Sequence, residues 1–207
     1  DEWESVLTTS FKDNLSPEFF TFDNKNVIAT SNLNRDKSAV VEFDIATGKE
    51  IRLLYENEDY DVSSVGYSKK RKVITSANYT SSKAEKHFFD KQYEDLYKRL
   101  EKELGDYEIA ITDFNKNEDV YIIRTYSDRS LGAYYIYDLT SDKLEKITDV
   151  SPWIDENEMA NVFPVTYSSR DGLTIHAYLT LPKGYTPETA KNLPTVINPH
   201  GGPWARD

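Results

Sequence analysis

The sequence predicts a mainly β chain: a partial β-propeller of about three blades with one inserted helix, followed by the first strands of an α/β unit. Three observations carry this. An aromatic–turn–strand unit recurs three times, one stretch in the middle copy switches to helical spacing, and the last segment becomes a hairpin leading to a glycine-rich turn.

The repeat has two landmarks. In the first, an aromatic is followed by a polar turn and a β-branched strand: Phe22 before Val27-Ile28-Ala29, Tyr67 before Val73-Ile74-Thr75, and Phe114 before Val120-Tyr121-Ile122. The aromatics are 45 and 47 residues apart. The second landmark is an aromatic strand closing on aspartate: Phe43-Asp44, Phe89-Asp90 and Tyr137-Asp138, spaced by 46 and 48 residues. Four short strands in about 45 residues is the size of one propeller blade. Abundant tyrosine, 15 in all, suits half-buried strands on which the ring packs and the hydroxyl stays wet.

The middle copy departs from the pattern after Asp90. Phe89, Tyr93, Leu96, Tyr97, Leu100 and Leu104 fall at the three- and four-residue steps of one helical face. Asp90 is the expected N-cap and Gly105 the expected C-terminal stop. This helix is expected to replace or interrupt the outer strand of its blade and to dock on that same blade.

The blade pattern ends near Ser151-Pro-Trp153, and the expected boundary separates residues 1–158 from 159–207. Beyond it, Asp171-Gly172 lies between Pro164–Ser168 and Leu173–Leu181, a hairpin signal. Period-two spacing puts Leu173, Ile175, Ala177 and Leu179 on one face and Thr174, His176, Tyr178 and Thr180 on the other. His176 is thereby explained as a strand residue among polar neighbours. A further short strand is expected over Thr195–Asn198, ending in His200-Gly201-Gly202-Pro203.

That last turn is the chemical signal. A glycine-rich loop after the third strand of an α/β-hydrolase supplies one of the two backbone N–H groups of the oxyanion hole. Glycine serves there because bare backbone approaches the developing alkoxide with no Cβ in the way. None of the eight glycines opens a G-x-S-x-G nucleophile elbow, and with no cysteine a thiol nucleophile is excluded. The missing serine is expected C-terminal to Asp207, as in a fragment of a larger enzyme.

Composition narrows the partners. A net charge of −11 argues against nucleic acid and anionic membrane surfaces. No apolar run reaches the ~20 residues of a membrane-spanning helix. Three histidines are too few and too scattered for a metal cluster, and no cofactor is expected. The acidic run Glu56, Glu58, Asp59 and Asp61 lacks the glycine and terminal glutamate of a calcium loop and reads as a solvated connection. Asn14-Leu-Ser16 and Asn78-Tyr-Thr80 match the glycosylation sequon, a pattern too short to carry weight alone. The absence of cysteine is compatible with cytoplasm or periplasm.

The segment from Phe163 to Asp207, with Arg170-Asp-Gly-Leu, Leu181-Pro182 and His-Gly-Gly-Pro-Trp-Ala-Arg-Asp, resembles the start of the hydrolase domain in prolyl oligopeptidase-family serine peptidases. It is most similar to their acylaminoacyl peptidase and dipeptidyl peptidase-like branch. The blades and the helix after Phe88-Phe89-Asp90 are similar to that group as well. The resemblance implies that Gly202 donates its backbone N–H to the oxyanion, and that His200, Gly201 and Pro203 shape the loop. It implies that Trp204, Arg206 and Asp207 complete the motif structurally, and that short peptides are the substrate. The chain departs from the family in having three blades and no Ser-Asp-His triad. An esterase or lipase remains open as an alternative, because the same device serves any acyl transfer, as does a non-catalytic propeller module. Open blade flanks predict that the chain associates with itself or leaves its ends unordered.

Overall fold

The computed structural model describes residues 3–202. It contains thirteen strands and one α-helix, and it divides into two compact units. The first unit runs through Ser127 and resumes over Leu131–Pro152; the second comprises Asp128–Ser130 and the chain from Trp153 onward.

The first unit is three antiparallel meanders, the propeller-like blades expected from the repeat. Strands β1 (Leu15–Phe20), β2 (Val27–Ser31), β3 (Ala39–Asp44) and β4 (Lys49–Tyr55) form the first sheet in chain order. Strands β5 (Val62–Ser68), β6 (Val73–Thr80) and β7 (Ala84–Phe88) form the second. Strands β8 (Glu108–Phe114), β9 (Val120–Tyr126), β10 (Ala133–Asp138) and β11 (Lys143–Asp149) form the third. The second sheet stops at three strands, and helix α1 (Lys91–Leu104) follows where the other blades add a fourth.

The repeating aspartate explains both outcomes. In the first blade Asp44 ends β3 and its carboxylate accepts from the Ala46 N–H at 2.9 Å and the Thr47 hydroxyl at 2.7 Å, turning the chain into β4. In the third blade Asp138 accepts from the Thr140 and Ser141 N–H groups at 2.8 and 3.1 Å. Side-chain acceptors of this kind reproduce a backbone turn. In the second blade Asp90 accepts instead from the Tyr93 N–H at 2.8 Å and caps α1. Apolar residues at helical spacing follow Asp90, so the same local acceptor starts a helix. Gly105, at φ 72°, closes α1 with its N–H on the Glu101 carbonyl.

The first two blades share a core of Ile28, Val40, Val62, Val65 and Ala77, and Phe19 stacks on Tyr67 with centroids 3.9 Å apart. The helix finds its core elsewhere. Leu96 and Leu100 pack with Ile109, Tyr121, Ile123 and Tyr137 of the third blade, while Tyr93 and Tyr97 meet Phe88 at the end of β7. Docking on its own blade, expected from the sequence, is half of the outcome: Tyr93 and Tyr97 meet Phe88 of that blade, but Leu96 and Leu100 are buried against the third. Val62, Val65 and Ala77 of the second sheet are already buried with the first blade, so the leucines of α1 find their apolar partners on the third. A polar clasp joins the second and third blades: Glu118 accepts from the Ser68 hydroxyl and, at 3.0 Å, from the Lys70 N–H.

The second unit contains one hairpin, β12 (Val162–Ser168) paired with β13 (Thr174–Thr180) from Val162–Thr180 to Ser168–Thr174. Ile175, Ala177 and Leu179 are half-buried, whereas Thr174, His176, Tyr178 and Thr180 are exposed, which is the alternation read from the sequence. Leu173 precedes the strand in the turn and is exposed. The strand expected over Thr195–Asn198 is absent: this stretch is irregular, with Val196 and Ile197 92% and 88% exposed. Among the described residues no neighbouring strand pairs with it, and β-branched residues alone do not hold an extended conformation without a ladder.

Candidate functional site

The candidate site is the loop at the end of the second unit. The hairpin that precedes it turns from β12 into β13 through a tight five-residue connection. Ser169 N–H donates to the Leu173 carbonyl at 2.9 Å, Gly172 N–H to the Ser169 carbonyl at 3.1 Å, and Gly172 takes φ 87°. The Ser169 hydroxyl donates to the Asp171 carboxylate and holds it below the usual carboxylate range. The Val162 N–H is anchored on Asp128 at 2.8 Å, and Lys183 pairs with Glu158 at 2.8 Å.

After β13 the chain passes through a turn at Thr186–Ala190. Thr189 Oγ1 accepts from the Thr186 N–H at 2.8 Å, and Thr186 donates its hydroxyl to Glu188 at 2.6 Å. That hydroxyl holds the Glu188 carboxyl below its ordinary value. The irregular Leu193–Pro199 stretch then delivers His200, Gly201 and Gly202 in sequence.

The structure places these three residues on an exposed loop. The His200 ring donates from Nδ1 to the Gly201 carbonyl at 2.6 Å, a local contact that turns the imidazole back on its own backbone. A Cβ built on Gly201 meets nothing within 4 Å, so open space lies beside that backbone. Gly202 has φ 142°, a conformation that L side chains rarely adopt. The arrangement is therefore a bare, glycine-determined turn with a histidine committed to its geometry. Pro203, with Trp204, Arg206 and Asp207 of the expected motif, lies outside the described residues.

His176 is not brought to this loop. It sits opposite Thr166 in the hairpin, on the exposed polar face. Among the described residues no group of three or more His, Cys, Asp or Glu is placed to hold a metal. The acidic run at 56–61 is used locally: Asp61 accepts from the Ser38 N–H at 2.7 Å, and Asn57 accepts from the Asp59 and Tyr60 N–H groups. Asn78 of the second sequon is committed too, donating from Nδ2 to Ser64 at 3.0 Å.

Among known proteins, the chain is 26% identical to dipeptidyl aminopeptidase BIII of Pseudoxanthomonas mexicana over 209 aligned residues, 99% of this chain and 29% of that protein. The chain thus spans under a third of the length of this curated relative. No family model matches it. In fold it is similar to prolyl oligopeptidase B from Galerina marginata bound to a 35mer substrate, with TM-score 0.56 and 15% identity over 86% of this chain and 25% of that one. A prolyl endopeptidase studied for inter-domain dynamics gives TM-score 0.54 and 13% identity, again over 86% of this chain and 26% of its own.

Proposed function

We infer that this is a chain of the prolyl oligopeptidase family, and we propose that it contributes to a serine-type peptidase acting on short peptides. In this reading residues 1–158 are propeller blades and residues 159–207 begin the α/β-hydrolase domain. The observation that carries it is the resemblance to a dipeptidyl aminopeptidase along almost the whole chain.

The loop's chemistry follows from its backbone. A serine hydroxyl attacking a peptide carbonyl pushes the electron pair of the C=O bond onto oxygen. A fixed N–H aimed at that oxygen stabilises the tetrahedral species more than the ground state, and so lowers the barrier. Gly202 is assigned as one such donor, with Gly201 and Pro203 setting the turn and His200 holding it through the Gly201 carbonyl. His200 is assigned a geometric role rather than that of the general base, because the family that the chain resembles places its triad histidine far downstream of this loop. The blades favour a peptidase over an esterase or lipase, because the family that the chain resembles carries a propeller that restricts entry to short peptides.

The test is cleavage of short chromogenic peptides. The 207-residue chain is expected to give no turnover, having one oxyanion donor and no nucleophile elbow. A protein of the relative's length that includes this chain is expected to turn over. Gly202→Pro, which deletes the N–H, is expected to lower kcat by about 10²–10³ in that protein. Gly202→Ala should also lower it, by forcing a side chain onto φ 142° and into the oxyanion's space. Turnover by the 207-residue chain, or an unimpaired Gly202→Pro enzyme, overturns the assignment.

A further inference from the structure

Three half-buried tyrosines stand ring to ring on the seam between the first and second blades. Tyr55 ends β4 and packs on the core that the two blades share, Tyr79 lies on β6, and Tyr60 sits in the 56–61 connection between the sheets. The Tyr79 ring centre is 6.3 Å from each of the other two, at 30° to Tyr55 and 13° to Tyr60. The hydroxyls of Tyr55 and Tyr79 also lie close enough to interact. Tyr79 donates its hydroxyl to the Glu85 carboxylate at 3.1 Å, and the Ser81 hydroxyl holds that carboxylate from its other oxygen.

We propose that Tyr55 and Tyr79 are an oxidative cross-linking site, forming a dityrosine that joins the first blade to the second when the chain meets hydrogen peroxide and a haem peroxidase. Each phenol gives up one electron and its hydroxyl proton. The Tyr79 proton passes to Glu85, a base already in place as the electron leaves. The two phenoxyl radicals join through the ring carbons beside their oxygens. One C–C bond forms, the two C–H bonds at those carbons break, and both phenols regain an O–H. The sum is a loss of two electrons and two protons, which reduce one hydrogen peroxide to two waters.

Two effects compete over where the bond forms. Exposed tyrosines such as Tyr134 and Tyr167 are easier for an oxidant to reach. Coupling, however, needs a second radical within contact, and in dilute solution only a tyrosine of the same chain can supply it. Proximity therefore decides. A phenol couples at the carbons beside its hydroxyl, so converging hydroxyls select Tyr55 over Tyr60 as the partner of Tyr79. The rings must still close from 6.3 Å to bonding distance. Tyr55 can supply that movement, because it is the last residue of its strand and the 56–61 connection follows. The chain has no cysteine, so no disulfide can fasten this seam.

The experiment oxidises the dilute folded chain with a haem peroxidase and limiting hydrogen peroxide. Dityrosine fluorescence reads the yield, and tandem mass spectrometry of tryptic peptides locates the bond. The expected product is a monomer in which the peptide holding Tyr79 is joined to Tyr55, at the summed mass less two hydrogens. Tyr55→Phe and Tyr79→Phe should each lose this product, and Tyr60→Phe should keep it. Glu85→Gln retains an acceptor for the Tyr79 hydroxyl but is no base, so it should slow the cross-link without moving it. Circular dichroism confirms that each variant is folded. The cross-linked chain should unfold at a higher urea midpoint than the unlinked one, because the bond closes a loop in the unfolded chain. Dityrosine confined to dimers overturns the proposal. So does a bond at Tyr60 or spread over the exposed tyrosines, a product that survives Tyr79→Phe, a Glu85→Gln rate equal to the parent's, or an unchanged midpoint.

Discussion

Single side chains decide how each blade ends. Asp90 is the sharpest case, because one carboxylate caps α1 and pairs with Arg71 at 2.7 Å in a partly buried setting. Asp90→Ala removes both contacts and leaves the Arg71 guanidinium without its partner. The expected loss is about 2 kcal/mol, read as a lower urea midpoint at unchanged slope. Asp90→Asn keeps an acceptor for the Tyr93 N–H and should recover part of that loss. Glu50 gives a pH-dependent counterpart. Burial by itself would raise its carboxyl, but Arg35, bonded to both oxygens at 3.0 and 2.7 Å, and Ser31 at 2.5 Å outweigh it. The net pKa lies below the ordinary 4.5. A depressed folded-state value means the stabilisation is complete above pH 4.5 and is lost as pH falls through the lower folded value. Urea midpoints between pH 2.5 and 6 should therefore fall less steeply for Glu50→Gln than for the parent. Equal slopes would show that the pair contributes nothing to acid stability.

At the level of elements, α1 tests what the sequence made legible. Its start at Asp90, its stop at Gly105 and its apolar face could all be read from spacing and capping chemistry. Its docking on the third blade could not, because that depends on which apolar residues of the second sheet are already buried with the first blade. The three blades were legible through Phe22, Tyr67 and Phe114 and through Asp44, Asp90 and Asp138, where a side-chain requirement repeats. The first-hairpin turns were legible as polar turns but not in their geometry, for they place Asn24, Lys72 and Glu118 at positive φ, a conformation that lysine and glutamate do not signal. The Thr195–Asn198 strand was misread for a related reason: β-branched composition signals a strand only where a neighbour supplies the ladder. For α1 itself, Leu100 is fully buried between helix and third blade. Leu100→Ala should cost 2–5 kcal/mol through lost transfer energy and the cavity left behind. Hydrogen exchange should then rise first in α1, β8 and β9, with β2 and β3 protected as before. Uniform loss of protection across all three sheets would mean that the blades unfold as one cooperative block.

At the level of the whole molecule, the main tension lies between the well-packed blades and the apolar surface left in water. Val196 and Ile197 are almost fully exposed on a stretch with no ladder partner among the described residues, and Trp153 is 79% exposed. Adjacent β-branched residues with unpaired backbone groups are a template for strand pairing with another chain. A second copy brings the same segment, so pairing of two such stretches satisfies backbone groups and buries apolar side chains on both sides at once. The chain's charge of −11 opposes this at long range, but screening at physiological salt confines the repulsion to about 8 Å. Association is therefore expected to strengthen with both protein concentration and ionic strength. Light scattering from micromolar to several hundred micromolar, at low and high salt, reads it directly. Val196→Lys with Ile197→Lys should abolish the concentration dependence without lowering the urea midpoint of the blades, because neither side chain contributes to the buried clusters. A monomer at every concentration and salt would show that this stretch does not pair. Association that survives both lysines would move the contact to another surface, with Trp153 the next residue to change.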